Sequence, residues 1–251
     1  MSRWLQTLIT GSLACALSLN LHAAEISVAV AANFAAPMQK IAALFEQQTG
    51  HKIALAVGST GRFYAQIKNG APFQVLLAAD DETPSKLEAE GAAIQGTRLT
   101  YAVGRLVLWS PQPDLVDSQG EVLKTQRFSK LALADPKLAP YGLAAVETLT
   151  KLGLLEQLKP KLIQGENIAQ ALQFVSTRNA QLGFVALSQI QTESLRGQGS
   201  AWVVPAHLHS PIRQDAVLLN KGKDVHAARA LLQFLRSDPA RAIIRQYGYD
   251  I

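Results

Sequence analysis

The run Ile26-Ser27-Val28-Ala29-Val30-Ala31-Ala32 is short and almost wholly apolar. A strand of this kind is buried on both faces, as in a parallel sheet covered by helices. The period then changes. Met38, Ile41, Ala42 and Phe45 fall at i, i+3, i+4 and i+7, so a helix is predicted over residues 35–48. Pro37 is tolerated in its first turn and Gly50 is its stop. The alternation continues with a strand at 53–57 and a helix at 62–69, closed by Gly70-Ala71-Pro72. A strand at 73–78 and a short helix at 84–90, closed by Gly91, complete the module.

Past Arg98 the pattern restarts. Residues 99–109 read as one long extended segment, ended by Pro111-Gln112-Pro113. Strands are predicted at 131–134, 182–187, 202–204 and 215–219. Helices are predicted at 143–152, closed by Gly153, then at 168–175, 225–237 and 239–247. Two such modules with no Gly/Ser linker between them imply an α/β chain in two lobes. Each lobe is expected to be a mixed sheet flanked by helices, with crossing strands between the lobes and a ligand cleft where they face. The expected division is 25–103 with 206–251 for the first lobe and 104–205 for the second.

Composition fits this picture. The 251 residues are 48% hydrophobic and 17% charged, which excludes a disordered or coiled-coil chain. The 24 Lys+Arg against 19 Asp+Glu form no basic stripe, so a nucleic-acid partner is not expected. Cys15 is the only cysteine, which rules out an intrachain disulfide and a Cys-ligated metal. Residues 1–24 have the layout of a secretory leader. Arg3 precedes an apolar stretch over 5–19, and the small residues Ala23 and Ala24 precede Glu25. Cleavage is expected near Ala23 or Ala24, and the cysteine-free mature chain suits a periplasm. Lipidation at Cys15 is the weaker reading, because Ser12 precedes it and the sequence stays apolar after it.

The motifs of nucleotide and nucleophile chemistry are missing: there is no GxGxxG, no GxxxxGK[ST] and no GxSxG. His207 and His209 alternate on what reads as an exposed strand end, where solvated His is favoured over a metal pair. Asp80-Asp81-Glu82 reads as a turn and helix cap ahead of Pro84. An enzyme is therefore not expected.

What the chain offers is small polar residues where strands hand over to helices. Asn33, Ser59-Thr60-Gly61, Pro140-Tyr141-Gly142 and Glu166-Asn167 all stand in such places. Each can present free backbone N–H groups at the positive end of a helix. Taken singly they are ordinary helix caps. Converging from two lobes on one cleft, they make a cradle of neutral donors for one anion. Hydrogen bonds to a charge contribute about 1.5–3 kcal/mol each before desolvation. Several together reach a dissociation constant on the order of a micromolar, about −8 kcal/mol.

Val30-Ala31-Ala32-Asn33-Phe34, Gly58-Ser59-Thr60-Gly61, the segment 66–73 and Ala78-Ala79-Asp80 resemble the first lobe of periplasmic molybdate-binding proteins, the ModA family. The segment 135–142, Leu182-Gly183-Phe184-Val185 and Arg245-Gln246-Tyr247-Gly248-Tyr249 are similar to the rest of that family. The resemblance implies a type II periplasmic-binding fold that closes on molybdate or tungstate. It also implies delivery to the permease and ATPase subunits of an inner-membrane ABC importer. Carried over by position, Ala32 and Asn33 supply a side-chain and N–H donor. Ser59 and Thr60 supply hydroxyl and N–H donors, Tyr141 lies in the third loop, and Ile168 after Asn167 supplies a backbone N–H. The ion is held through its oxygens, with no direct metal ligand. Many members carry a ligand Tyr where this chain has Ala186, and Tyr141 is expected to provide that hydroxyl. Tyr141→Phe is then expected to weaken binding by about 1–3 kcal/mol. Asn33 stands where a Ser is commoner.

The expectation is a monomeric oxyanion-binding protein with no cofactor and with affinity nearly flat between about pH 6 and 8, since no donor titrates there. A sulfate- or thiosulfate-binding protein is the runner-up in the same class. A secreted hydrolase with Ser59 as nucleophile would need a base within reach. A ferric-binding protein would need an adjacent Tyr pair, which is missing. The effector lobes of a transcription regulator would not carry a leader.

Overall fold

The computed structural model describes residues 24–125 and 127–251. The expected leader at 1–24, with its cleavage site, falls outside the described residues except for Ala24.

Two five-stranded mixed sheets organise the chain. The first half supplies β1 (Glu25–Ala31), β2 (Lys52–Gly58), β3 (Val75–Leu77) and β4 (Leu99–Gly104), with helices α1 (Ala35–Thr49), α2 (Thr60–Lys68) and α3 (Glu82–Ala89). The middle supplies β5 (Leu106–Ser110), β6 (Leu131–Ala134), β7 (Leu162–Gly165), β8 (Leu182–Ala186) and β9 (Ser200–Val203). Its helices are α4 (Val122–Thr125), α5 (Pro140–Lys151), α6 (Leu155–Leu158), α7 (Ile168–Ser176) and α8 (Leu187–Ile190). The chain then returns through β10 (Ile212–Leu218) and ends in α9 (His226–Phe234) and α10 (Asp238–Gln246). The strand orders are β2-β1-β3-β10-β4 and β7-β6-β8-β5-β9.

The apolar run that opened the reading is the second strand of the first sheet. Val28, Ala29 and Val30 are wholly buried, with α1 on one face and α2 and α3 on the other. Gly50 ends α1 in the left-handed region at φ 75°, where a side chain would be strained. Met38, Ile41 and Phe45 pack on Ile26, Val28 and Val30 and carry the fit of α1 to the sheet. In the second lobe Leu106, Leu108, Leu131, Leu133 and Phe184 form the core, which continues across the cleft to Ala31, Ala32 and Ala79.

The structure corrects three expectations. The extended segment 99–109 is two strands, β4 and β5, because Arg105 is where the chain crosses from one sheet to the other. Strand β7 was not legible: it is only Leu162–Gly165, and Pro160 precedes it closely. His207 and His209 lie on no strand. They belong to a helical turn and its end, with His207 exposed and His209 buried, its Nδ1 2.7 Å from the Ser210 carbonyl.

Candidate functional site

Strand register brings four turns to one place. Ala31 of β1 pairs with Gly58 of β2, and Ala134 of β6 pairs with Gly165 of β7. Each pair of parallel strands ends level, so the turns that follow lie side by side at the carboxyl ends of the strands, where open α/β sheets bind ligands. Every one of these turns opens a helix. Ala32 and Asn33 begin a single helical turn that leads into α1, and Thr60 is the first residue of α2. Tyr141 lies in the first turn of α5, behind Pro140, and Ile168 starts α7.

The turns border one small cavity between the lobes, of about 10 Å³. That is below the roughly 300–1,000 Å³ of sites for drug-sized ligands. Ala32, Asn33, Ser59, Thr60, Tyr141, Asn167 and Ile168 all border it. Helix starts leave N–H groups without intrahelical partners. Here the backbone N–H groups of Asn33, Thr60, Tyr141 and Ile168 find no acceptor among the described residues. The Ser59 hydroxyl is buried and has no hydrogen-bond partner either. No charged residue borders the cavity. A ring of unspent donors with no cation among them suits an anion small enough to be enclosed.

The side chains are occupied differently from what the sequence suggested. Asn33 spends both protons of Nδ2, on Gln214 Oε1 at 2.8 Å and on the Tyr249 hydroxyl at 3.0 Å. Its contribution to the cavity is the backbone N–H. Asn167 Oδ1 accepts from the N–H groups of Ala169 and Gln170 at 3.0 and 3.1 Å, so this side chain caps α7. Thr60 Oγ1 accepts from the Ala79 N–H at 2.9 Å and keeps its own proton for donation. The Tyr141 hydroxyl accepts from Gln214 Nε2 at 3.2 Å and belongs to a buried polar cluster. Ala186 ends β8, and its N–H goes to Gln189 Oε1 at 2.9 Å while Gln189 Nε2 donates to the Ile168 carbonyl at 3.1 Å. Gln189 thus fixes the start of α7. Burial pushes the hydroxyls of Tyr101, Tyr141 and Tyr249 well above the ordinary tyrosine range, so all three stay neutral.

Contacts across the cleft hold the lobes together. The Gly61 N–H donates to the Leu138 carbonyl at 2.9 Å, and Arg62 pairs with Glu166. Both charges of that pair are exposed, so it contributes about 0–1 kcal/mol. No base touches Ser59, which leaves the hydrolase reading without an activated nucleophile. No group of three or more His, Cys, Asp or Glu side chains that could hold a metal ion is found among the described residues.

A wider cleft adjoins the cavity and shares Ala79, Ala139 and Pro140 with it. Asp80 lies there. Burial pushes its carboxyl up to about 6, against hydrogen bonds from the Thr83 N–H and hydroxyl that favour the charged form. The native state therefore holds this proton more tightly than the unfolded chain. Asp80's contribution to stability is greatest below about pH 4 and is lost as pH rises through about 6. We expect Asp80→Asn, which keeps an acceptor for the Thr83 N–H, to flatten the pH dependence of urea unfolding in that window. An unchanged slope would contradict this.

The fold and this site together define an extracellular solute-binding protein, two lobes closing on a ligand between them. The family model described as bacterial extracellular solute-binding protein matches residues 26–250. The chain is 57% identical over 251 residues to the molybdate-binding protein ModA of Azotobacter vinelandii, covering 100% of this chain and 98% of that one. It is 50% identical over 253 residues to ModA of Rhodobacter capsulatus, covering 99% of each. A solved periplasmic molybdate-binding protein of Azotobacter vinelandii shares its fold with a TM-score of 0.87 at 40% identity, over 90% of this chain and 99% of that one. The chain belongs to the ModA family of molybdate-binding proteins.

Proposed function

We propose that the protein captures molybdate, and tungstate with it, in the periplasm and delivers the ion to an ABC importer. The observation that carries this reading is the ring of unpartnered donors around a small neutral cavity, the Ser59 hydroxyl above all. The relatives named above are molybdate-binding proteins, which favours molybdate over sulfate.

In this mechanism the ion enters between separated lobes and meets Asn33, Ser59 and Thr60 of the first. Closure then adds the N–H groups of Tyr141 and Ile168 from the second. The oxygens are the atoms held, so neither a direct metal ligand nor a cofactor takes part. Neutral dipoles replace the water shell without the cost of burying a cation. Molybdate and sulfate are both tetrahedral dianions, so charge does not separate them and cavity size does. The proposed carrier acts as a monomer and donates its cargo without chemical change.

The donors named here do not titrate near neutrality. Affinity is expected to be equal within about twofold at about pH 7 and pH 8. Equilibrium dialysis against labelled molybdate at the two values tests this, and a steep change between them would place a titrating group in the site.

A further inference from the structure

We propose that Gln214 is a positioning residue that holds the closed state, by tying the first-lobe turn at Asn33 to the second-lobe helix at Tyr141. The inference rests on the binding reading above and adds a residue that lies outside the cavity. Gln214 is wholly buried on β10, at an irregularity where the register against β4 shifts between Gln214 and Asp215. Such a bulge re-aims a side chain. Here the extra residue is Tyr101 of β4, between Thr100 and Ala102, and its hydroxyl reaches Gln214 Oε1.

Both ends of the Gln214 amide are used. Oε1 accepts from Asn33 Nδ2 at 2.8 Å and lies 3.0 Å from the Tyr101 hydroxyl, and Nε2 donates to the Tyr141 hydroxyl at 3.2 Å. Asn33 is also held from its other side. Ser188 of α8 donates to the Asn33 carbonyl at 2.8 Å, and the Tyr249 hydroxyl lies 3.0 Å from Ser188 Oγ. Tyr141 and Ser188 move with the second lobe, whereas Asn33, Gln214 and Tyr249 move with the first. The bonds from Gln214 to Tyr141 and from Ser188 to Asn33 therefore exist only when the lobes are together. Gly104 keeps the space open: a Cβ there would overlap the Tyr141 hydroxyl and lie 2.6 Å from Gln214 Nε2.

Interactions made only in the closed state shift the population toward closure. Release of an enclosed ion requires opening, so the bridge slows release. A purely structural Gln214 would alter unfolding and spare the release rate.

The test is stopped-flow release of molybdate from the wild type, Gln214→Met, Tyr141→Phe and the double variant, with thermal unfolding of each ligand-free protein. We expect release to quicken roughly tenfold in each single variant. The double variant should be no faster than about the quicker single one, since both remove the same bond. Release rates unchanged in the single variants, or single effects that multiply in full, would overturn the proposal. A lower melting temperature with unchanged release would also overturn it. If Gln214→Met does not fold, Gln214→Asn, which keeps a buried amide but is one methylene short of Tyr141, decides by the same measure. A wild type that does not bind molybdate would sink the binding reading itself, an outcome distinct from wild-type binding with unaltered release in the variants.

Discussion

Ser59→Ala will weaken molybdate binding by roughly tenfold to more than a hundredfold, and it will leave the ligand-free protein at least as stable as the wild type. The two halves of this expectation have one cause. The Ser59 hydroxyl is buried without a partner. An unsatisfied buried polar group costs about 1–3 kcal/mol, which alanine removes. Ser59 precedes α2 but makes no side-chain cap bond, so no helix cap is lost in exchange. In the liganded state the same hydroxyl donates to a dianion, a bond worth about 1.5–3 kcal/mol. Calorimetric titration reads the affinity and thermal unfolding reads the ligand-free stability. Unchanged affinity would remove Ser59 from the site. A clearly lower ligand-free melting temperature would mean that its hydroxyl supports the fold.

Gly142→Ala is expected to abolish tight binding, weakening it at least about a hundredfold, through the backbone. A Cβ on Gly142 would overlap the Ala134 carbonyl oxygen and come within 2.8 Å of its carbon and 3.0 Å of the Asp135 carbonyl carbon. These are backbone atoms at the end of β6, which no side-chain rotation can move aside. The first turn of α5 must lift, and Tyr141 with its free N–H lies in that turn. A misplacement of about 1 Å is enough to cost two orders of magnitude where donor geometry is fixed. Overpacking of this kind costs about 1–3 kcal/mol of stability, or roughly 2–10 °C in melting temperature at this chain length. Affinity within tenfold of wild type would show that the cradle tolerates displacement of α5.

Much of the fold was legible because local signals agree with the final packing. The buried run at β1 and the stripe of Met38, Ile41 and Phe45 follow directly from period, and Gly50 ends α1 as expected. Short or interrupted elements escaped. Strand β7 is Leu162–Gly165, and β10 begins at Ile212, ahead of the expected start at 215, because Arg213 and Gln214 interrupt the apolar pattern. That interruption was itself the signal: a Gln buried in a strand needs partners, and the partners of this one hold the site together.

The candidate site was legible as turns and not as side chains. Strand ends and helix starts are local, so Asn33, Thr60, Tyr141 and Ile168 could be placed at the sites of free N–H groups. Which atoms remain free depends on residues far along the chain. Asn33 is 181 positions from Gln214 and 216 from Tyr249, and these two take both protons of its side chain. Asn167 shows the opposite case. Expected among the oxyanion-binding residues, it instead caps α7 with its side chain, the local role that the capping preference of Asn favours.

The central claim, that a cradle of neutral donors takes a tetrahedral oxyanion and discriminates by size, is tested most directly by calorimetric titration of the mature protein with molybdate, repeated in excess sulfate. The account predicts one-to-one binding with a dissociation constant of about a micromolar or tighter, preserved in sulfate. Loss of the signal in sulfate would contradict selection by size, and no binding of either ion would contradict the oxyanion site itself.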